Sequence, residues 1–375
     1  MRNDETFEIF LTVAPGLEQA LLDEARELGF AAPKAVPGGV TVQGGWSEVW
    51  RANLSLRGAA RVLARIGEFR AFHLAQLDKR ARKFPWDEVL RADVPVRVEV
   101  ATNRKSKIYH AGAAAQRVEK AIAETLGAPI ARDAAEAALT VKLRIEDNLC
   151  VFSVDTSGEG LHKRGHKSAV GKAPMRENLA ALFLRECGYT GSEPVVDPMC
   201  GSGTFVIEAA EIAAGMLPGR NRHFAFEQLV SFDSASWEDM KQQGVARAVD
   251  QVFQGSDRNA GAVEMAAANA ERAGVAENTR FLQAAVSDLQ RPDGPPGLVI
   301  VNPPYGARIG NKKLLFALYA ALGQVLKERF SGWRVGIVTS DTALAKATQL
   351  PFLPYGQPVA HGGLKIRLYK TDPLP

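Results

Sequence analysis

The stretch that most limits the fold of this chain is Pro194-Val195-Val196-Asp197-Pro198-Met199-Cys200, which runs into Gly201-Ser202-Gly203-Thr204 and then an alanine-rich segment over 205–215. An apolar run that breaks at a glycine turn and restarts as a helix is the ligand-binding corner of a doubly wound α/β sheet, where backbone comes close to a ligand. The residues themselves exclude two familiar ligands. Gly201-Ser202-Gly203-Thr204-Phe205-Val206 lacks the third glycine of a dinucleotide fingerprint, and no Gly-Lys-Ser/Thr follows, as a phosphate loop requires. Asp197, ahead of the turn, would repel a pyrophosphate and suits a cationic or hydroxylated ligand.

A second corner follows further along, where Leu298-Val299-Ile300-Val301 meets Asn302-Pro303-Pro304-Tyr305-Gly306. A strand that ends at an amide, two prolines and an aromatic ring offers a stiff rim of acceptors beside a stacking surface. That rim suits an exocyclic amine. The lone pair of such an amine is delocalised into its ring or carbonyl, so it attacks only when acceptors hold its hydrogens and keep the nitrogen near tetrahedral. The Asn302 side-chain oxygen and the Pro303 carbonyl could be those acceptors. Tyr305 could stack on the base, a contact worth roughly 1–3 kcal/mol in single-stranded nucleic-acid complexes. Since all five residues favour turns, the segment alone also reads as a plain turn.

The two motifs together, Asp197-Pro198-Met199-Cys200-Gly201-Ser202-Gly203-Thr204 and Asn302-Pro303-Pro304-Tyr305-Gly306, resemble those of class I S-adenosylmethionine-dependent methyltransferases that methylate amino groups. The resemblance implies S-adenosyl-L-methionine as cofactor, held by Asp197, Met199, Cys200, Gly201, Ser202, Gly203 and Thr204. It implies Asn302, Pro303 and Tyr305 as the catalytic group, with Asn302 also near the cofactor. A second apolar strand, Val252-Phe253-Gln254-Gly255-Ser256-Asp257, ends in an acid. By the same resemblance Asp257 takes the ribose hydroxyls, with Arg258 beside it, and Asp288, past a strand over 280–286, accepts from the adenine amine. Read singly, Asp257 is equally a helix N-cap and Asp288 a loop acid. Three acids at three successive strand ends favour one shared ligand. Cys200 reads as a small residue packed under a tight loop rather than a nucleophile.

Everything after residue 167 fits one such domain. Strands are expected at Val195, Val252, Phe281, Val299 and over 335–339, with a helix over 312–330 crossing from the fourth to the fifth. A closing pair near 358–360 and 364–369, linked by Gly362-Gly363, favours an antiparallel hairpin. The segment 217–250 is too long for a connection and reads as an insertion with its own helix over 237–249, on the side where substrate would be gripped. A proline- and glycine-rich run, 291–297, is a surface loop.

The first half is a different object. Strands are expected over 7–14, 39–43 and 93–102, helices over 16–30, 46–66 and 111–127, and a hairpin over 139–145 and 149–155 around Asp147-Asn148. Mixed this way, they suggest a small α+β module. It carries basic clusters: Lys79, Arg80, Arg82 and Lys83, then Arg104, Lys105 and Lys107 beside Tyr109, and at the junction Lys163 and Arg164. Cations near Tyr, His and Ser donors suit a phosphate backbone, although a short basic run is more often a solvated face. Gly39-Val40, Arg51-Ala52-Asn53-Leu54, Arg61-Val62-Leu63, Phe84-Pro85-Trp86, Leu161-His162-Lys163-Arg164-Gly165 and the lead-in over 173–180 resemble the bacterial guanine-N2 RNA methyltransferases that modify large-subunit rRNA. In these a THUMP domain, an RNA-binding module, follows a partial ferredoxin-like unit. His166 departs from that pattern, since relatives often carry an aromatic residue there.

The resemblance implies an α/β protein: a ferredoxin-like part over 1–43, a THUMP RNA-binding domain over 44–156, a linker over 157–167, and a Rossmann-like class I methyltransferase domain over 168–375. Its sheet would have seven strands, the last antiparallel. The expected activity is guanine-N2 methylation of RNA, with 23S rRNA ahead of tRNA. Adenine-N6 methylation of nucleic acid, glutamine-N5 methylation of protein and a non-catalytic RNA-binding assembly factor are the alternatives. Composition agrees: Lys plus Arg number 46 against 42 Asp plus Glu, a mild excess that serves RNA if clustered. Cys150, Cys187 and Cys200 are too few and scattered for a disulfide framework or a zinc site, so no metal is expected. No apolar run approaches the roughly 20 residues that span a bilayer, and the N-terminus lacks a signal-peptide core, which places the chain in the cytoplasm.

Overall fold

The computed structural model describes residues 5–167, 175–305 and 312–375. The chain opens with β1 (Phe7–Thr12), α1 (Glu18–Glu27), β2 (Ala31–Val36), β3 (Gly39–Gly44), α2 (Trp46–Ser55) and β4 (Arg61–Arg70). It continues with α3 (Leu74–Ala81), β5 (Val96–Thr102), α4 (Ala111–Leu126), β6 (Leu139–Glu146) and β7 (Leu149–Asp155). These strands form one seven-stranded sheet in the order β2-β3-β1-β4-β7-β6-β5, antiparallel except where β5 runs beside β6. Burial alternates along β1, so one face packs on the core. The β6–β7 hairpin turns at Asp147 and Asn148, both in the left-handed region at φ 47° and 62°, a conformation that Asp and Asn tolerate better than most residues.

The second half contains α5 (Glu177–Glu186), β8 (Val195–Asp197), α6 (Thr204–Ala213), α7 (Ser234–Gln242), β9 (Phe253–Asp257), α8 (Ala260–Ala273) and β10 (Thr279–Gln283). It ends with β11 (Leu298–Val301), α9 (Lys312–Arg329), β12 (Arg334–Thr339), α10 (Thr342–Ala347), β13 (Val359–His361) and β14 (Leu364–Lys370). Its sheet has the order β10-β9-β8-β11-β12-β14-β13. The first five run parallel, and β14 inserts antiparallel between β12 and β13. This is the Rossmann-like class I arrangement expected, with the last strand antiparallel. All four residues of β11 are buried, as a strand covered on both faces requires. Tyr319, Leu322 and Leu326 of α9 fill the layer above Val299, Val301 and Val335.

Chain packing resolves two compact units. One combines the described residues up to Val13 with Leu22–Leu161 and Arg222–Gln243; the other combines Ala14–Leu21, His162–Asn221 and Gly244–Pro375. Two sequence expectations are corrected here. The helix expected over 46–66 ends at Ser55, and Arg61–Arg70 is a strand paired with both β1 and β7. Its sequence, Arg61-Val62-Leu63-Ala64-Arg65-Ile66, suits either state, and the pairing decides. The insertion expected within the methyltransferase domain groups largely with the first unit instead. Its helix is α7, capped by Asp233, and Arg222–Gln243 belongs to the first unit, where Phe226 stacks on Trp50 with ring centroids 6.0 Å apart.

Candidate active site

In the second sheet the chain leaves β8 toward β9 and β10 on one side, while β11 and β12 lie on the other. The switch in direction therefore falls between β8 and β11, where an open α/β sheet has its crevice at the carboxyl ends of the strands. Both sequence motifs open onto that crevice: the glycine turn follows β8, and Asn302 follows β11.

The turn is tied down from several sides. Asp197 is 2% exposed, and one of its oxygens accepts from the Met199 backbone N–H at 3.0 Å. Burial pushes its carboxyl up to about 8, the Met199 hydrogen bond opposes this, and the neighbouring Asp257 charge adds to the rise. Asp257 accepts from the Gly201 N–H at 3.1 Å through one oxygen and from the Asn259 N–H at 2.9 Å through the other. A carboxylate offers about four lone-pair sites, so acceptor capacity remains for hydroxyls. The helix N-cap reading of Asp257 falls away, because Asn259 caps α8 by accepting from Gly261 N–H at 3.0 Å. Gly201 and Gly203 have φ of 51° and 83°. A Cβ on Gly203 would sit 3.1–3.2 Å from Ala266, Ile207 and Phe281, whereas one on Gly201 would meet nothing within 4 Å. Gly201 thus leaves a backbone cradle open to a ligand. The Cys200 thiol is driven upward by burial and stays neutral, which fits packing rather than nucleophilic attack.

On the other wall, Asn302 is half-buried, and its Oδ1 is buried with no hydrogen bond among the described residues. Pro303 is buried, and the Pro304 carbonyl accepts from the Tyr319 hydroxyl at 3.4 Å, which also lies 3.2 Å from Thr339 Oγ1. Tyr305 and Met199 are partly buried and pack on the β11–α9 core. Gly306 lies outside the described residues. Asp288 is exposed on a single 3-10 turn just beyond β10, where its carboxylate accepts from Ser287 Oγ at 3.3 Å. Arg258 is exposed, and its carbonyl accepts from Gln283 Nε2 at 3.2 Å.

The basic residues divide. Lys79, Arg80, Lys83, Arg104, Lys105, Lys107, Tyr109 and Lys163 are exposed. The Asn148 side chain holds the Lys107 N–H at 2.8 Å, while the Asn148 carbonyl holds the Ala71 N–H at 2.9 Å. One hairpin turn therefore ties the segment ahead of α3 to the basic loop at Lys107, and the Lys107 ammonium lies 5.6 Å from the Phe72 ring centroid. Arg82 is committed to Asp78 at 2.9 Å and to Glu124. Arg164 corrects the sequence reading: it is 2% exposed and pairs with the equally buried Glu208 at 3.3 Å, so it cannot meet a phosphate backbone. The acid that captures it lies on α6, far along the chain, which the basic run alone could not reveal. Three residues that the sequence reading missed also bear on the site: Lys167, which donates to Thr204 Oγ1 at 2.8 Å, Asn269, which donates to the Ser202 carbonyl at 3.0 Å, and Tyr319. A lone amide on an alanine-rich helix was the only signal for Asn269.

A cradle left open by Gly201, the spare acceptors of Asp257 and an amide oxygen with no partner among the described residues fit S-adenosylmethionine. Fold and site together define a class I methyltransferase that uses this cofactor. Residues 164–352, half of the chain, match the RMKL-like methyltransferase domain, and residues 8–63 match the RlmL ferredoxin-like domain. The chain belongs to the RMKL-like methyltransferase family. Among solved structures, it is 29% identical to a predicted N6-adenine-specific DNA methylase from Listeria monocytogenes str. 4b F2365, with 98% of this chain and 96% of that one covered and a TM-score of 0.85. It is 27% identical to a methylase candidate from Clostridium difficile 630, covering 99% of both chains with a TM-score of 0.87. It is 28% identical to SMU.472, a protein assigned as a methyltransferase and solved in complex with SAH, covering 100% of both chains with a TM-score of 0.87.

Proposed function

We propose that this protein methylates the exocyclic N2 of guanine in RNA, with 23S rRNA as the substrate. The observation that carries the reading is the Asn302 amide oxygen, buried with no donor among the described residues at the mouth of the cofactor crevice. An acceptor left in that state costs about 1–3 kcal/mol, a cost that a bound amine N–H would remove. With the Pro303 carbonyl as the second acceptor, the nitrogen lone pair is turned out of conjugation and toward the crevice. S-adenosylmethionine supplies a methyl group already activated on a sulfonium. With the cofactor held by Asp257 and the glycine turn, methyl transfer would exchange its C–S bond for the new N–C bond, and the proton made acidic by alkylation would leave to water. This chain's residues have mainly to orient the two reactants, a contribution of up to about 7–11 kcal/mol for well-aligned groups. Asp257 and the glycine turn hold one partner, Asn302 and Tyr305 the other.

RNA as the substrate is supported by the exposed cations and the aromatic Tyr109 over 79–109, within the stretch 44–156 that we assign to RNA binding. The match of residues 8–63 to the RlmL ferredoxin-like domain supports the ribosomal choice. An extruded guanine costs a few kcal/mol to unstack, least where the RNA is already looped. The relative named as an adenine-N6 methylase favours a second reading, since the same acceptors fit an adenine amine. Mass spectrometry of digested ribosomal and transfer RNA, from cells with and without the gene, separates the readings. Loss of N2-methylguanosine from 23S rRNA is expected. Loss from tRNA would move the substrate, and unchanged N2-methylguanosine in both pools would overturn the proposal.

A further inference from the structure

The cofactor turn is held from behind by a relay that begins outside it. Asn269 on α8 is fully buried, and its Nδ2 donates to the Ser202 carbonyl at 3.0 Å. Its Oδ1 accepts from the Arg272 guanidinium at 2.5 Å, and the same guanidinium donates through Nε to the His166 carbonyl at 2.7 Å. The two contacts fix the amide's orientation, because Arg272 only donates and the Ser202 carbonyl only accepts. The Ser202 carbonyl shares its peptide with the Gly203 N–H, which donates to the Cys200 carbonyl at 2.8 Å, and that carbonyl shares its peptide with the N–H that Gly201 offers to Asp257, so tilting the Ser202 peptide would be passed on to Gly201. From the other side Lys167 reaches the turn at Thr204 Oγ1, 2.8 Å away, while paired with Glu177 at 3.0 Å.

We propose that Asn269, oriented by Arg272, is a positioning residue for S-adenosylmethionine, acting through the Ser202 carbonyl rather than by touching the cofactor. Asn269→Asp keeps the shape and the Arg272 pairing but sets an oxygen against the Ser202 carbonyl, and Asn269→Leu removes both bonds. Calorimetry with S-adenosylhomocysteine on the free protein reads the effect without RNA, so it stands or falls apart from the identity of the substrate. The dissociation constant should rise about tenfold in Asn269→Asp, as expected for a lost buried hydrogen bond with a repulsive replacement. The KM for S-adenosylmethionine should rise in step while kcat stays within about twofold. Arg272 is exposed, so Arg272→Lys tests the relay even where the Asn269 variants fail to fold. A lysine lacks the fixed two-nitrogen fork by which the guanidinium spans the His166 carbonyl and the Asn269 amide, and a smaller loss of affinity follows. The double variant Asn269→Asp, Arg272→Lys should bind no worse than Asn269→Asp alone. Folded variants that melt lower yet bind S-adenosylhomocysteine unchanged, or losses that simply add, would overturn the proposal.

Discussion

At the residue scale the proposed reaction separates holding the cofactor from presenting the amine. In the proposed reaction Asn302 presents an oxygen to the positive charge that develops on the attacking nitrogen, and removing one such preorganised dipole typically costs 10²–10³-fold in turnover. Asn302→Ala should therefore lose about that much in kcat while binding S-adenosylhomocysteine as the parent does. Asp257→Ala should weaken that binding first, and equal loss of both properties in Asn302→Ala would sink the division of roles. Asp197 adds a pH dependence. Its folded-state carboxyl is raised to about 8 from an ordinary 3.8, so the folded protein holds a proton that the unfolded chain releases. This group's contribution to stability is full below about pH 4 and is lost as pH rises toward 8, at no more than ~1.4 kcal/mol per pH unit. The buried ring of His166 and the partly buried rings of His162 and His361 are pushed downward by desolvation and act oppositely, losing stability as pH falls below 6.5. Comparing urea midpoints of the parent and Asp197→Asn between pH 5 and 8 cancels the histidines. The advantage of the Asn variant should grow with pH, and parallel curves would refute a protonated Asp197.

At the scale of elements, α9 links the catalytic wall to the core. Its apolar period places Tyr319, Leu322 and Leu326 inward, and the Tyr319 hydroxyl ties the Pro304 carbonyl to Thr339 at the end of β12. Tyr319→Phe removes only that tie. A neutral hydrogen bond is worth about 1 kcal/mol, so kcat should fall roughly fivefold with the affinity for S-adenosylhomocysteine unchanged; a full rate in the variant would show that Pro304 is held by other means. This helix was legible in the sequence because its burial pattern is local, and so were β8, β11 and the glycine turn, where each motif carries its own stop signal. What was not legible depends on partners distant in sequence. β4 is decided by pairing with β1 and β7, and Arg164 by Glu208 on α6. A basic run looks the same whether it meets solvent, RNA or a buried acid, and only the fold supplies the acid.

At the scale of the whole molecule, the chain completes its first unit with a segment borrowed from within the methyltransferase half. Arg222 donates to the carbonyls of Ser157, Glu159 and Gly160 at 3.0, 2.7 and 2.9 Å, and Phe226 N–H meets the Thr156 carbonyl at 3.0 Å. Phe226 stacks on Trp50 and meets Trp237 edge-on at 5.0 Å, so α2 and α7 share one aromatic cluster. Trp237 is 3% exposed, and emptying such a site costs about 3–5 kcal/mol. In the intact chain, Trp237→Ala should therefore loosen a region remote in sequence. Hydrogen exchange should accelerate at Trp46–Ser55 and over 153–161, whereas β8 and α6, only some residues upstream of the mutation, should keep their protection. Loss of protection at β8 and α6 instead would mean that the insertion belongs energetically to the methyltransferase unit. The expected pattern would also mean that residues 1–161 lack part of their own core when cut away from the rest, which makes the boundary between the halves a poor place to divide the chain.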